Sequence, residues 1–304
     1  MKRLSRRDFL RGAAGVTLVG AAGTFCQKKD SQAKTPEVKK TEVEQRSRVV
    51  LVRDEKVIDQ NRKVDPEIIA RMLDDGVKAL LDEKDVKKAW AKLIKPDDIV
   101  GIKSNVWSYL PTPTELEEAI RQRVMEQGVS EDNVDVDDRG VLKSRVFTTA
   151  TALINVRPMR THNWSGVGSC IKNYIMFHPH PWHWHDDACA DLAGLWKLPL
   201  VKDKTRLNIL VMLTPLFHGK GPHHYNAEYT WEYRGLIVGT DPVAVDSTGL
   251  RIIEAQRRRH FDRSLPFAVS AKHIRMAEER HHLGIANPDS IDLVKLGWKD
   301  DVLI

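Results

Sequence analysis

Apolar residues fall along this chain in two alternating patterns. Short, mostly apolar runs at 48–52, 98–102, 152–156, 207–213 and Gly235–Gly239 read as buried strands. Between them lie stretches of helical period. Asp65-Pro66 supplies a cap and a first-turn proline ahead of Ile68, Ile69, Met72 and Leu73. Val86, Ala89, Trp90 and Leu93 mark a second helix, 113–126 a third, and Asp241-Pro242 opens a fourth. Strand–helix alternation predicts an α/β fold: a mostly parallel sheet flanked by helices, as one large domain or two intimately joined halves over residues 48–304.

The first 33 residues break this pattern. Ser5-Arg6-Arg7-Asp8-Phe9-Leu10-Arg11 precedes an uncharged, small-residue apolar stretch at 12–25. Paired Arg6 and Arg7, a modest apolar region and a polar tail make a twin-arginine export signal. The expected partner is the twin-arginine translocase, which moves folded cargo, and the expected location is periplasmic or otherwise extracytoplasmic. The apolar run is too short to span a bilayer comfortably. Membrane attachment is expected only if Cys26 is lipidated or the signal is retained. Residues 34–47, rich in Lys and Glu, read as a flexible tether.

This leader also decides the electrostatic argument. It carries seven basic and two acidic residues, a net +5, whereas the whole chain is +6. The remainder is about neutral, so the basic balance gives no reason to expect nucleic acid. Beyond Cys26 only Cys170 and Cys189 remain, in no Cys-x-x-Cys arrangement, and no cysteine-ligated iron–sulfur cluster is expected from this chain alone. The two could pair in an oxidising compartment or stay as buried thiols.

In α/β folds ligands gather beyond the carboxyl ends of strands. Four polar segments follow strands here: Lys103-Ser104-Asn105, Arg160-Thr161-His162, His218-Gly219-Lys220-Gly221 and Thr240-Asp241. The densest cluster of ligating side chains is elsewhere, at His178, His180, His183 and His185, where imidazoles could hold a transition metal. Arg160, Lys172 and Lys220 would steady negative charge, and His162 would handle protons. Asp241 sits where a helix cap belongs. Asp246 would bind a cation or orient a histidine if it faced the cleft. The acidic pairs Asp97-Asp98 and Asp137-Asp138 read as surface turns.

Several of these segments resemble a bacterial and archaeal family, domain of unknown function 362. Its members show a strand ending in Lys-x-Asn, a Lys-x-Lys-x-His-like segment, a Lys-Asn pair and an Asp-Pro-Val-Ala-x-Asp element. Here they read Lys103-Ser104-Asn105, Arg157-Pro158-Met159-Arg160-Thr161-His162, Lys172-Asn173 and Asp241-Pro242-Val243-Ala244-Val245-Asp246. Arg157 and Arg160 stand where lysines are usual, which keeps the charge and changes the geometry. The resemblance covers roughly residues 48–255 and implies no particular reaction. Lys103, Asn105, Arg160, Lys172, Asn173, Lys220, Asp241 and Asp246 are thus the expected ligand-binding residues. Two classes of function stand: a metal-assisted or redox enzyme acting on a small anion, and a non-catalytic binding protein or assembly factor.

Overall fold

A computed structural model describes residues 46–219, 221 and 225–304. The export signal with Arg6 and Arg7, Cys26, most of the expected tether, and Lys220 lie outside the described residues. Eight strands build one sheet: β1 (Ser47–Arg53), β2 (Val100–Lys103), β3 (Val134–Asp137), β4 (Ala152–His162), β5 (Gly166–Gly168), β6 (Thr205–Leu216), β7 (Gly235–Gly239) and β8 (Ile291–Gly297). Their order is β3-β2-β4-β6-β7-β1-β8, with β5 turned back against the end of β4. Every pairing along this path is parallel except those on either side of β7, which runs against its neighbours. The protein is therefore an α/β fold with a mostly parallel sheet.

Eight helices accompany it among the described residues. They are α1 (Pro66–Leu80), α2 (Val86–Leu93), α3 (Thr114–Met125), α4 (Arg145–Thr149), α5 (Cys170–Asn173), α6 (Asp186–Cys189), α7 (Pro242–Phe261) and α8 (Lys272–Glu279). The alternation of side chains along β4 shows how the layers divide. Ala152, Ile154 and Val156 face a core shared with Ile69, Met72, Leu73 and Val77 of α1, Trp90 of α2, and Leu116, Ile120 and Val124 of α3. Leu153 and Met159 face the opposite core, with Phe147 of α4, Ile171 of α5, Ile252 and Ile253 of α7, and Ile274 of α8. Helices on both faces explain why the central strands are mostly apolar, their runs broken by the buried Asn155 of β4 and Asn208 of β6.

The reversed β7 changes one expectation. Because it runs antiparallel, its carboxyl end lies at the edge where the other strands begin. Thr240 and Asp241 therefore do not join the polar segments that follow β2 and β4. Asp241 caps α7, as its place ahead of Pro242 implies, accepting from the backbone N–H groups of Val243 and Ala244. Its second oxygen accepts from Ser47 Oγ at 2.6 Å and Ile285 N at 2.8 Å, so the cap also secures the start of β1. Asp241→Ala removes all four bonds and should destabilise the chain by about 2 kcal/mol. The urea midpoint of the purified variant measures this, with an unchanged slope marking an unchanged fold.

Candidate functional site

β2 ends at Lys103, but β4 continues past the level of that residue for seven more positions, because Lys103 pairs with Asn155. This overhang carries Arg157, Arg160 and His162. Strict alternation would put Arg157 on one face and the other two on the opposite one. The pairing of β4 with β6 shifts register between Pro158 and Arg160. There β4 advances two residues while β6 advances five, from Val211 to Leu216, so the extra residues lie on β6. Arg157 and His162 both lie against Gly168 of β5, where an added Cβ would stand 2.8 Å from the guanidinium and 3.6 Å from the imidazole. Glycine at 168 makes the room that these two large side chains share.

Lys172, on α5, completes a cationic chamber. Arg157 and Arg160 are each 4 % exposed and Lys172 is 3 % exposed. Arg160 donates to Asn105 Oδ1 at 3.0 Å and stacks on Trp107, 4.4 Å from the ring centre. Its Nε is buried without a partner. Among the described residues the Lys172 ammonium meets only the Cys189 sulfur, at 3.7 Å. Arg157 is the extreme case: its Nε is buried and unpartnered, and among the described residues its guanidinium forms no hydrogen bond or salt bridge. None of the three has a carboxylate within salt-bridge distance among those residues, though a buried ion left uncompensated costs several kcal/mol.

The nearest carboxylates are committed elsewhere. Asp138 holds Lys103 at 2.5 Å, with both side chains buried. The Lys103 ammonium also donates to Ser104 O at 2.7 Å and reaches Asn173 Oδ1 at 3.5 Å, so all its donors stay within the protein. Burial lowers Lys103 to about 8 despite Asp138. Burial would raise Asp138, but Lys103 holds it below the usual carboxylate range. Asp246 is neither a cleft residue nor solvated. It caps α5, accepting from Ser169 Oγ at 2.6 Å and from the N–H groups of Cys170 and Ile171 at 2.8 Å. Burial raises it to about 6 against those hydrogen bonds.

Buried asparagines tie the chamber to the sheet. Asn173 Nδ2 donates to Lys103 O, Asn155 Oδ1 and Val156 O. Asn155 Nδ2 passes the chain to Asn208 Oδ1 at 3.0 Å, and Asn208 reaches the carbonyl of Thr240 at 3.1 Å. Asn105 and Asn173 are thus positioning groups. Sequence reasoning missed Asn155, Asn208, Trp107 and Asp138, and it placed Arg157 only in a family motif. Asp138 was legible: Val134 and Val136 alternate with aspartates into an edge strand that ends beside β2, as Lys103 does.

The proton-handling role expected of His162 does not fit its surroundings. Burial, then Lys172, Arg157 and Arg160, push its pKa far below the ordinary histidine value. It is therefore a neutral imidazole here. Its Nδ1 accepts from Trp164 N at 3.2 Å, which assigns the proton to Nε2. Lys172 falls to about 8 through burial, partly offset by Cys189 and deepened by Arg157 and Arg160.

The histidine loop divides. The rings of His178, His180 and His183 stand 5.3–6.2 Å apart by centroid near the surface. His185 turns away onto Trp164, at 4.5 Å, and lies close enough to the chamber for Lys172 to lower it further after burial, to about 4. The four do not form one centre. Among the described residues, no group of three or more His, Cys, Asp or Glu stands where it could hold a metal ion. Beyond His185 the backbone turns left-handed at Asp187, Ala188 and Cys189, which carries Cys189 inward to Lys172. Cys170 and Cys189 are both free and buried.

A cleft of about 430 Å³ opens beside the chamber. His162, Asn163 and Gly166 form one wall, His218, Gly219 and Arg257 another, and residues 265–269 the roof. Of the His218–Gly221 segment, His218 and Gly219 therefore meet the β4 overhang. Arg157, Arg160 and Lys172 do not line this cleft; His162 stands between them and it.

The sequence profile of the family described as domain of unknown function (DUF362) matches residues 100–251. The chain belongs to this family. The DUF362 match includes β2, β4 and α5, and with them every cation of the chamber. No curated protein and no solved structure matches the chain.

Asp138→Asn would leave the Lys103 charge buried without its ion pair, at a cost of about 3–5 kcal/mol near pH 7. Because burial depresses the folded-state pKa of Lys103 below its unfolded value, the native state sheds this proton first. Stability then gains from deprotonation as pH rises. The deficit of the variant should shrink between pH 7 and 9 in paired denaturation curves; a constant deficit would contradict the assignment.

Proposed function

We propose that this chain is an exported protein that binds a small oxyanion, a carboxylate or a phosphate, among Arg157, Arg160, Lys172 and His162. The supporting observation is the set of three buried cations without a salt-bridge partner among the described residues, one of them without any hydrogen bond. An anion would supply the missing acceptors, and charge-assisted bonds to guanidinium groups suit planar or tetrahedral oxygens. Neutral His162 would add its Nε2–H as an uncharged donor. Export is supported by Arg6 and Arg7 ahead of the apolar stretch at 12–25. The chamber would form in the cytoplasm and travel folded to the periplasm with the translocase as partner.

Turnover of the bound anion is the second reading, favoured by Lys172. An ammonium with a pKa of about 8 changes charge near working pH, and clustered donors suit negative charge that develops on a substrate oxygen.

Calorimetric titration with acetate and with inorganic phosphate tests the binding. Arg157→Met should weaken the preferred anion by at least about tenfold. The variant must keep its fold by circular dichroism, because Arg157 also lowers the buried carboxylates Asp138 and Asp246. A folded variant with unchanged affinity would sink the proposal. Acetate stays ionised from pH 6 to 10, so its titration isolates the protein. Lys172 is protonated below about 8 and binding favours that form, so acetate affinity should hold below pH 8 and fall above it. For export, Arg6→Lys with Arg7→Lys should leave the full chain in the cytoplasm on fractionation; continued export would refute the signal.

A further inference from the structure

The cleft next to the chamber is built from three segments far apart in sequence, and its construction is specific. Arg257 of α7 holds its roof. One guanidinium nitrogen donates to Phe217 O at 2.9 Å and contacts His218 Nδ1 at 3.0 Å. The other donates to the carbonyls of Leu265 and Pro266 at 2.9 and 3.0 Å. Arg257 is thus spent on shaping the loop and, unlike Arg157, offers no free donor head. Gly166, at φ 72°, lets the roof dock on the β4–β5 turn, since a Cβ there would meet Val269 O and Ala271 N at 2.6 Å. The cleft is held open by these contacts.

Its lining is mostly apolar: Leu265, Pro266, Phe267, Ala268 and Val269. Polar groups stand on both walls, His218 and Arg257 on one and His162 and Asn163 on the other. There Asn163 presents a buried Oδ1 without a hydrogen-bond partner, beside His162. Small-molecule sites commonly combine such an apolar body with a few fixed polar groups at one end. We infer that the ligand is an amphiphilic acid: an oxyanion head held at His162, the cleft residue that adjoins Arg157, Arg160 and Lys172, and a compact apolar body of about one aromatic ring under residues 265–269. A hydroxyl or amino group near the head would satisfy Asn163. Arg257 is the positioning residue of this subsite.

This inference rests on the oxyanion reading, and the test separates the two. Matched probes share a head and differ in body: acetate against 3-phenylpropanoate, and inorganic phosphate against phenyl phosphate. Each is titrated into wild type and Ala268→Trp, which fills the roof of the cleft and whose folding is checked by thermal melting. The phenyl-bearing probe of the preferred head should bind wild type at least about tenfold more tightly than its partner. Ala268→Trp should bring it to the level of the small anion and leave the small anion unchanged. Equal affinities of the matched probes for wild type would overturn the amphiphile and leave the oxyanion site standing. A phenyl preference that Ala268→Trp does not reduce would overturn the assignment to this cleft. Failure of all four probes to bind wild type would remove the oxyanion reading itself. If Ala268→Trp does not fold, the wild-type comparison alone decides whether an apolar body is recognised.

Discussion

One side-chain amide joins the sheet to the chemistry. Asn173 donates to the carbonyls of Lys103 and Val156 and to Asn155, so it binds the ends of β2 and β4 to the turn that carries Lys172. Its oxygen faces Lys103 Nζ and Asn105 Nδ2, each at 3.5 Å. Asn105 in turn fixes Arg160. A buried amide with all its groups engaged has one acceptable orientation, because leaving any group unmatched costs free energy. The positions of Lys103, Arg160 and Lys172 follow from that orientation, either directly or through one neighbour.

The electrostatics then sort buried charge into two kinds. Lys103 with Asp138, and Asp246 with the amino end of α5, are closed units whose partners lie in the protein. Arg157, Arg160 and Lys172 are open. The two kinds sit side by side, and the contrast matters more than burial itself. A fold can hold a closed pair as structure, whereas open charges are tolerated only where something outside the chain can complete them. His162 shows the cost of that arrangement, being kept neutral by burial and then by Lys172, Arg157 and Arg160.

The central strands were legible because a strand covered by helices on both faces must be mostly apolar, and β1, β4, β6 and β7 carry such runs. The direction of β7 was not, since an apolar run reads the same either way; hence Asp241 was assigned to the wrong end of the sheet. β3, β5, β8 and α8 carry weaker patterns, with half-polar or very short sequences. Arg160, Lys172 and Asn173 stood out by residue type and by the motifs of the family. Arg157 stood out only through the family motif, and its place beside His162 depends on the turn of β5 back onto β4, which brings Gly168 against both. The histidine cluster misled for a related reason: close spacing along the chain says nothing of where a bend sends each ring.

The end of β2 sets apart two portions of one strand, because Lys103 pairs with Asn155. Up to that level β4 is a load-carrying member of the core, bonded to β2 and β6 and closed to change. Beyond it, the same strand is a cantilever that carries Arg157, Arg160 and His162. A one-residue insertion or deletion at 158–160 would exchange the faces of Arg160 and His162 while leaving the register of 152–156 untouched. Related chains could therefore acquire different chemistry at this point by one such change, with no repacking of the interior.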